Sequence, residues 1–174
     1  ECHLRWGDAV GYGWCPRHER LSYPMSNYRE RSTIYGGLDT VTGTCTVQFY
    51  AKANTDATIA FVNTLQHHYP QQRLVLIWDN ATYHKSKEFR AYLNTINAGT
   101  TEQTRKVHCI HFAPNDPQQN PIETVWMQAK QYIRKKYLKS ESFSTIKKIF
   151  LEYIQNHRYT GKNMDIYYPK SVNI

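Results

Sequence analysis

An acidic residue, Asp79, directly follows the apolar run R-L-V-L-I-W of residues 73–78. Such a run predicts a central strand that is buried on both faces of a sheet, and ligands of open α/β sheets bind beyond the carboxyl ends of the strands. A carboxylate at that place costs free energy unless it is paired or binds a cation. Asp79 is therefore a candidate metal ligand, and the structural alternative is that it caps the next helix.

A second acid, Glu123, follows a turn rich in proline and asparagine over residues 113–120. Asn120 fits the N-cap of the next helix, Pro121 its first position and Glu123 the acid of a capping box, so helix capping accounts for the pattern as well. The same position places the carboxylate in the first helical turn, from which it can face the end of the preceding strand.

The two acids follow neighbouring strands, so we expect Asp79 and Glu123 to lie close enough to share a divalent cation. Carboxylates without a set of cysteine or histidine ligands suit Mg²⁺ or Mn²⁺, which prefer oxygen ligands. Two such cations about 4 Å apart can clamp the attacking and leaving oxygens of phosphoryl transfer. His108 and His111 make a poor ligand pair, because residues three apart on a strand point to opposite faces.

Nucleic-acid contacts are predicted around these acids. His84 follows Asp79 by five residues, and contact with substrate and simple packing are both open for its side chain. The basic face of the helix from Pro121 is either solvated or in contact with phosphates. The predicted nucleic-acid-binding residues lie beside the acids or on that face, and they are Asn80, His84, Lys85, Asn120, Lys130 and Arg134.

Composition agrees with a globular protein that binds a polyanion. The chain has 174 residues, 40% hydrophobic and 14% aromatic, with a net charge of +8 and a pI near 9.3. Such a balance favours nucleic acid as a partner, although a merely basic soluble protein is the alternative. The four cysteines include no C-x-x-C pair, which predicts reduced thiols in a cytoplasmic protein.

Periodicity predicts a mixed α/β fold, with a five-stranded sheet flanked by helices on both faces. Gly11 and Gly13 suggest a hairpin near the start. A single domain is expected over residues 1–157, followed by a tail over 158–174. The predicted strands cover 33–38, 44–50, 73–78 and 107–112, and the predicted helices cover 56–69, 85–96, 121–138 and 143–156.

Two segments resemble signature blocks of a known family. W-D-N-A-T-Y-H at 78–84 and F-A-P-N-D-P-Q-Q-N-P-I-E-T-V-W at 112–126 are similar to the second and third blocks of mariner-superfamily transposases, in the branch of bacterial insertion sequences. E-C-H-L-R-W-G-D at 1–8 and Y-G-G-L-D at 35–39 resemble the first block and its following strand. The likeness runs to about Tyr137, and the proline-rich turn before Glu123 is its most specific part.

The resemblance implies a ribonuclease-H-like catalytic domain with a D-D-E triad, in which Asp79 is the second acid and Glu123 the third. The first acid of the family pattern directly precedes the residue that matches Glu1, and neither Asp8 nor Asp39 occupies that position. We therefore expect the chain as given to be a poor catalyst, either trimmed at this point or the product of a decayed gene.

The implied activity is cleavage of transposon ends and their transfer to target DNA, with Mg²⁺ or Mn²⁺ as cofactor and a homodimer in the synaptic complex. Two other functions stay open. One is a different nuclease of the ribonuclease H fold, and the other is a DNA-binding remnant without catalytic activity.

Overall fold

The computed structural model describes residues 1–10, 14–20, 29–113, 119–136 and 142–160. The hairpin predicted around Gly11 and Gly13 and the tail beyond residue 160 lie outside these ranges. The strands are β1 (Cys2–Arg5), β2 (Arg31–Leu38), β3 (Cys45–Tyr50), β4 (Leu74–Trp78) and β5 (Val107–His111). The helices are α1 (Thr55–His68), α2 (Lys87–Ile96), α3 (Ile122–Lys135) and α4 (Phe143–Asn156).

These elements confirm the predicted mixed α/β class, and they form two compact units. The first unit comprises Glu1–Ala51 and Ile122–Ile174, and the second comprises Lys52–Pro121. The hydrogen-bonded ladders of the described strands divide the same way, into a three-stranded sheet in the order β1-β2-β3 and a two-stranded sheet of β4 and β5. None of the described helices is both long enough and apolar enough to cross a membrane.

The first unit packs α3 and α4 on an antiparallel sheet. The alternation in β3 explains which face is covered, since Cys45, Val47 and Phe49 pack against the core while Gln48 is exposed. This is the period-2 pattern of a strand with one wet face. The fully buried side chains at the centre of the unit come from two strands and both helices, and they include Leu4, Ile34, Ile133, Ile146 and Phe150.

The second unit packs α1 and α2 against the parallel pair β4 and β5. Its buried centre consists of Val62, Phe89 and Val107, with Leu74, Leu76 and Trp78 packed around it. Side-chain oxygens cap both helices: Asn54 accepts a hydrogen bond from the Ala57 amide at 3.0 Å, and Ser86 accepts one from the Phe89 amide at 3.1 Å. These caps explain where α1 and α2 begin.

The expectation that residues 73–78 form a strand buried on both faces is wrong for the described structure. Val75 is 54% exposed, Ile77 37% and, on the neighbouring strand, Ile110 42%. Successive side chains of a strand point to opposite faces, and α1 and α2 pack against only the face that carries Leu74, Leu76 and Trp78. A continuous apolar run does not reveal that only one of its faces is covered.

Candidate active site

The second unit places Asp79 at the carboxyl end of a parallel strand pair. Trp78 is in register with His111, and the Trp78 carbonyl accepts a hydrogen bond from the Phe112 amide at 2.9 Å. The residues that follow β4 and β5 therefore meet at one edge of the sheet, where ligands of α/β folds bind. The Asp79 side chain is 55% exposed there, so its carboxylate is open to solvent.

The Asp79 carboxylate is held through one of its oxygens. Oδ1 accepts a hydrogen bond from the Ala81 amide at 3.0 Å and lies 3.2 Å from Nδ1 of His84. The hydrogen bond from His84 lowers the pKa of Asp79 from 3.8 to about 2, although partial burial opposes this shift. The carboxylate is thus ionised at neutral pH, and the stability it contributes is lost progressively as the pH falls from 3.8 to about 2.

Asp79 does not cap the following helix. The N-cap of α2 is Ser86, and a separate 3₁₀ turn over Thr82–Lys85 lies between Asp79 and that helix. The alternative role considered from the sequence is therefore excluded. The Asp79 carboxylate is partly exposed, accepts hydrogen bonds from its own loop and has no part in starting α2.

His84 is buried beside this carboxylate, with 7% of its surface exposed. Its imidazole stacks on the Trp78 indole, with ring centroids 4.2 Å apart and planes 9° from parallel, and the Tyr83 ring meets it edge-on at 4.7 Å. The aromatic contacts fix the plane of the imidazole. The structure thus places His84 beside Asp79 as the sequence led us to expect, but it leaves little imidazole surface for a DNA contact.

Asn80 and Lys85, two other predicted nucleic-acid-binding residues, are hydrogen-bonded to each other at the same edge of the sheet. The Asn80 amide donates to the Phe112 carbonyl at 2.9 Å, and its oxygen accepts from Nζ of Lys85 at 2.6 Å. Asn80 therefore ties the end of β4 to the end of β5. His111, considered from the sequence only as a poor ligand partner for His108, has Nδ1 3.0 Å from the Asp79 carbonyl oxygen. The signal that identifies His111 is its register with Trp78, which is known only once β4 and β5 are paired.

The first unit places Glu123 in the first turn of α3, with its side chain exposed. The residue lines a cleft of about 390 Å³. The other residues of this cleft come from Glu1, β1, the turn after it and the middle of α3, and they are Glu1, Cys2, His3, Arg5, Asp8 and Lys130. A carboxylate and a lysine separated by seven residues share one helix face here, as the helical repeat requires.

Lys130, predicted to contact DNA, is engaged within the protein. Its Nζ lies 3.3 Å from Oδ2 of Asp8 and donates to the His3 carbonyl at 2.8 Å. Asp8 in turn accepts a hydrogen bond from the Arg5 amide at 2.8 Å. Arg134, one turn further along α3, is exposed. The two basic residues of the helix face therefore have different surroundings.

The chemistry of both acids suits a hard divalent cation. Asp79 is anionic, and both of its side-chain contacts named above fall on Oδ1; Glu123 presents an exposed carboxylate. Within the described ranges, no group of three or more His, Cys, Asp or Glu side chains is arranged to hold a metal ion. Because Asp79 belongs to the second unit and Glu123 to the first, a cation shared between them stays a prediction.

Comparison with known families adds one finding. Residues 1–147 match the sequence profile described as DDE superfamily endonuclease. The matched range contains both acids and all the segments quoted above for their resemblance. A search of curated proteins finds no match.

Proposed function

The chain belongs to the family of DDE superfamily endonucleases, and we propose that it is the catalytic domain of a cut-and-paste transposase of the mariner superfamily, in the branch of bacterial insertion sequences. Its reaction is cleavage of a DNA phosphodiester at a transposon end, followed by attack of the freed 3′-hydroxyl on target DNA. The observation that carries the proposal is Asp79, an ionised, half-exposed carboxylate at the carboxyl end of parallel strands.

The family generally depends on metal ions, and Asp79 and Glu123 are the residues that would hold Mg²⁺ or Mn²⁺ here. When bound, such a cation activates the attacking oxygen and neutralises charge on the leaving oxygen. Asp79 contributes an anionic oxygen from a carboxylate oriented by its own loop, and Glu123 contributes one from the start of a helix packed on the core. In the family pattern, the first acid of the triad directly precedes the residue that matches Glu1.

The strand set supports a ribonuclease-H-like sheet as the scaffold. Three antiparallel strands precede two parallel ones along the chain, with helices after β3, β4 and β5. On this basis we propose the ribonuclease-H-like fold that the resemblance implies. The net charge of +8 supports DNA as the substrate, because a basic surface attracts the phosphate backbone.

The test is a nicking assay on supercoiled DNA carrying candidate inverted repeats, with Mg²⁺ or Mn²⁺. The protein is the chain extended by one aspartate before Glu1, so that the proposed triad is complete. Asp79→Asn and Glu123→Gln should each lower the nicking rate by at least about 100-fold, since even residues that merely orient metal ligands cost 10- to 100-fold. Asp56→Asn, a substitution of an exposed acid in the first turn of α1, is the matched control.

Three outcomes would contradict the proposal. Undiminished nicking by Asp79→Asn would exclude its metal role. Cleavage of an RNA–DNA hybrid, with no cleavage of duplex DNA, would identify a hybrid hydrolase. Binding to DNA without nicking by the extended chain would identify a remnant that only binds.

A further inference from the structure

We propose that His84 is a positioning residue, which holds the Asp79 carboxylate by one oxygen and leaves the other oxygen to a divalent cation. The inference rests on the proposed function, and it assigns His84 a role other than the DNA contact predicted from the sequence. The residue acts through Asp79 and has no contact with the reacting atoms.

The first support is the chemistry around Nδ1. The two oxygens near this atom are Oδ1 of Asp79 at 3.2 Å and the Asp79 carbonyl at 3.5 Å. Both can only accept hydrogen bonds, so Nδ1 must carry the proton and donate to the carboxylate. Since the Ala81 amide donates to the same oxygen, Oδ1 is held from two sides.

The second support is that the imidazole itself is held. It is 7% exposed, stacked on Trp78 and bounded by Tyr83. A ring confined in this way presents Nδ1 in one direction, so the carboxylate loses little further conformational freedom when it binds a ligand. An exposed histidine at the same place would have to be ordered during binding, at an entropic cost.

The third support is the fixed backbone of Asp79. Nδ1 of His111 lies 3.0 Å from the Asp79 carbonyl, and Asn80 is hydrogen-bonded to the Phe112 carbonyl. The main chain on which Asp79 stands is thereby tied to β5. Groups behind a metal ligand orient it in this manner, and replacing them typically weakens metal affinity by about 10- to 100-fold.

The experiment compares two amide substitutions that differ in where they place the donor. His84→Asn puts an amide close to the position of Nδ1, whereas His84→Gln puts it close to Nε2, away from Asp79. Mn²⁺ affinity is measured by the paramagnetic resonance of free Mn²⁺, with no DNA present. Affinity for duplex DNA is measured separately by fluorescence anisotropy without divalent cations. His67→Asn, which replaces an exposed histidine near the end of α1, is the matched control.

We expect His84→Gln to weaken Mn²⁺ binding by about 10- to 100-fold, His84→Asn to retain most of it, and DNA affinity to stay unchanged in both. Wild-type Mn²⁺ affinity in His84→Gln would overturn the inference, as would equal losses in the two variants. A loss of DNA affinity with Mn²⁺ binding intact would make His84 a DNA contact. Asp79→Asn, titrated alongside, separates the two proposals. If Asp79→Asn binds Mn²⁺ like the wild type, the proposed function fails. If Asp79→Asn loses Mn²⁺ affinity while both His84 variants keep it, only the role of His84 fails.

Discussion

The two proposed metal ligands, Asp79 and Glu123, are held in place by contacts that differ in their distance along the chain. In the second unit, the donors to the Asp79 carboxylate are Ala81 and His84, two and five residues away. In the first unit, Glu123 stands on α3, and that helix is tied to β1 by the hydrogen bond from Lys130 to His3, 127 residues away. The carboxylate of Asp79 is therefore held by its own loop, whereas the place of Glu123 depends on long-range packing.

This difference predicts different responses to substitution. A local arrangement should survive a loosening of the surrounding unit, because its donors and acceptors stay close along the chain. A helix docked by long-range contacts should shift when any of those contacts is removed. The following substitutions test the distinction in order of decreasing expected effect.

The largest effect is expected at Gly36, a residue of β2 on which Trp126 of α3 packs. A Cβ at this position would overlap the Trp126 ring, and Ile122 lies just beyond it. Gly36→Ala should therefore destabilise the protein by about 1–3 kcal/mol, the usual cost of overpacking a core. The measurement is the free energy of urea unfolding. Gly7→Ala is the control, because a Cβ at Gly7 meets nothing within 4 Å, and an equal loss there would contradict the steric explanation.

The next effect concerns the start of α2 in the second unit. Ser86→Ala removes the side chain that accepts the Phe89 amide, and it should cost about 1 kcal/mol, as N-cap losses do. Asp79→Ala should cost less, because the Asp79 side chain is 55% exposed and water competes for its hydrogen bonds. The two free energies of unfolding are compared directly. A larger loss for Asp79→Ala would show that the acid is mainly structural.

A smaller effect is expected from the ion pair that ties α3 to the turn after β1. Lys130 and Asp8 have side chains that are 25% and 19% exposed, and pairs of this kind contribute at most about 1 kcal/mol. A double-mutant cycle with Lys130→Met and Asp8→Asn should therefore give a coupling energy of a few tenths to about 1 kcal/mol. A coupling of zero would mean that the pair does not hold the helix in solution.

The smallest effect is expected in the rate at which two cysteines, one in each unit, are alkylated. Burial raises the pKa of Cys45 to about 12 and that of Cys109 to about 11. The thiolate is the reactive form, so alkylation of both should be slow at pH 8 and should accelerate as the pH rises towards those values. The exposed Cys15 should react first.

These rates also separate the two units. Gly36→Ala should accelerate alkylation of Cys45, in the first unit, more than that of Cys109, in the second. Mass spectrometry of the labelled peptides gives the rates. Equal acceleration at both cysteines would show that the substitution loosens the two units alike.

The local sequence was sufficient to predict most elements. Helix α4 spans Phe143–Asn156 as predicted, because its apolar positions recur at helical spacing and Ser142 caps its first turn at 3.1 Å. The alternation of apolar and polar residues in β3 likewise indicates which side chains pack inward. The 3₁₀ turn over Thr82–Lys85 was missed, and α2 begins at Lys87 where a start at residue 85 was expected. Ser86 is the cap that explains this difference.

By itself, the sequence determined most of the helices and strands, the two candidate acids Asp79 and Glu123, and the family. Tertiary structure decided what each side chain faces. It left Val75 and Ile77 exposed on a strand that reads as wholly apolar, buried His84 beside Asp79, and engaged Lys130 with Asp8. The physical reason is the sequence distance over which each interaction acts. Hydrophobic periodicity and helix capping involve residues close along the chain, whereas burial and ion pairing depend on segments that only the fold brings together.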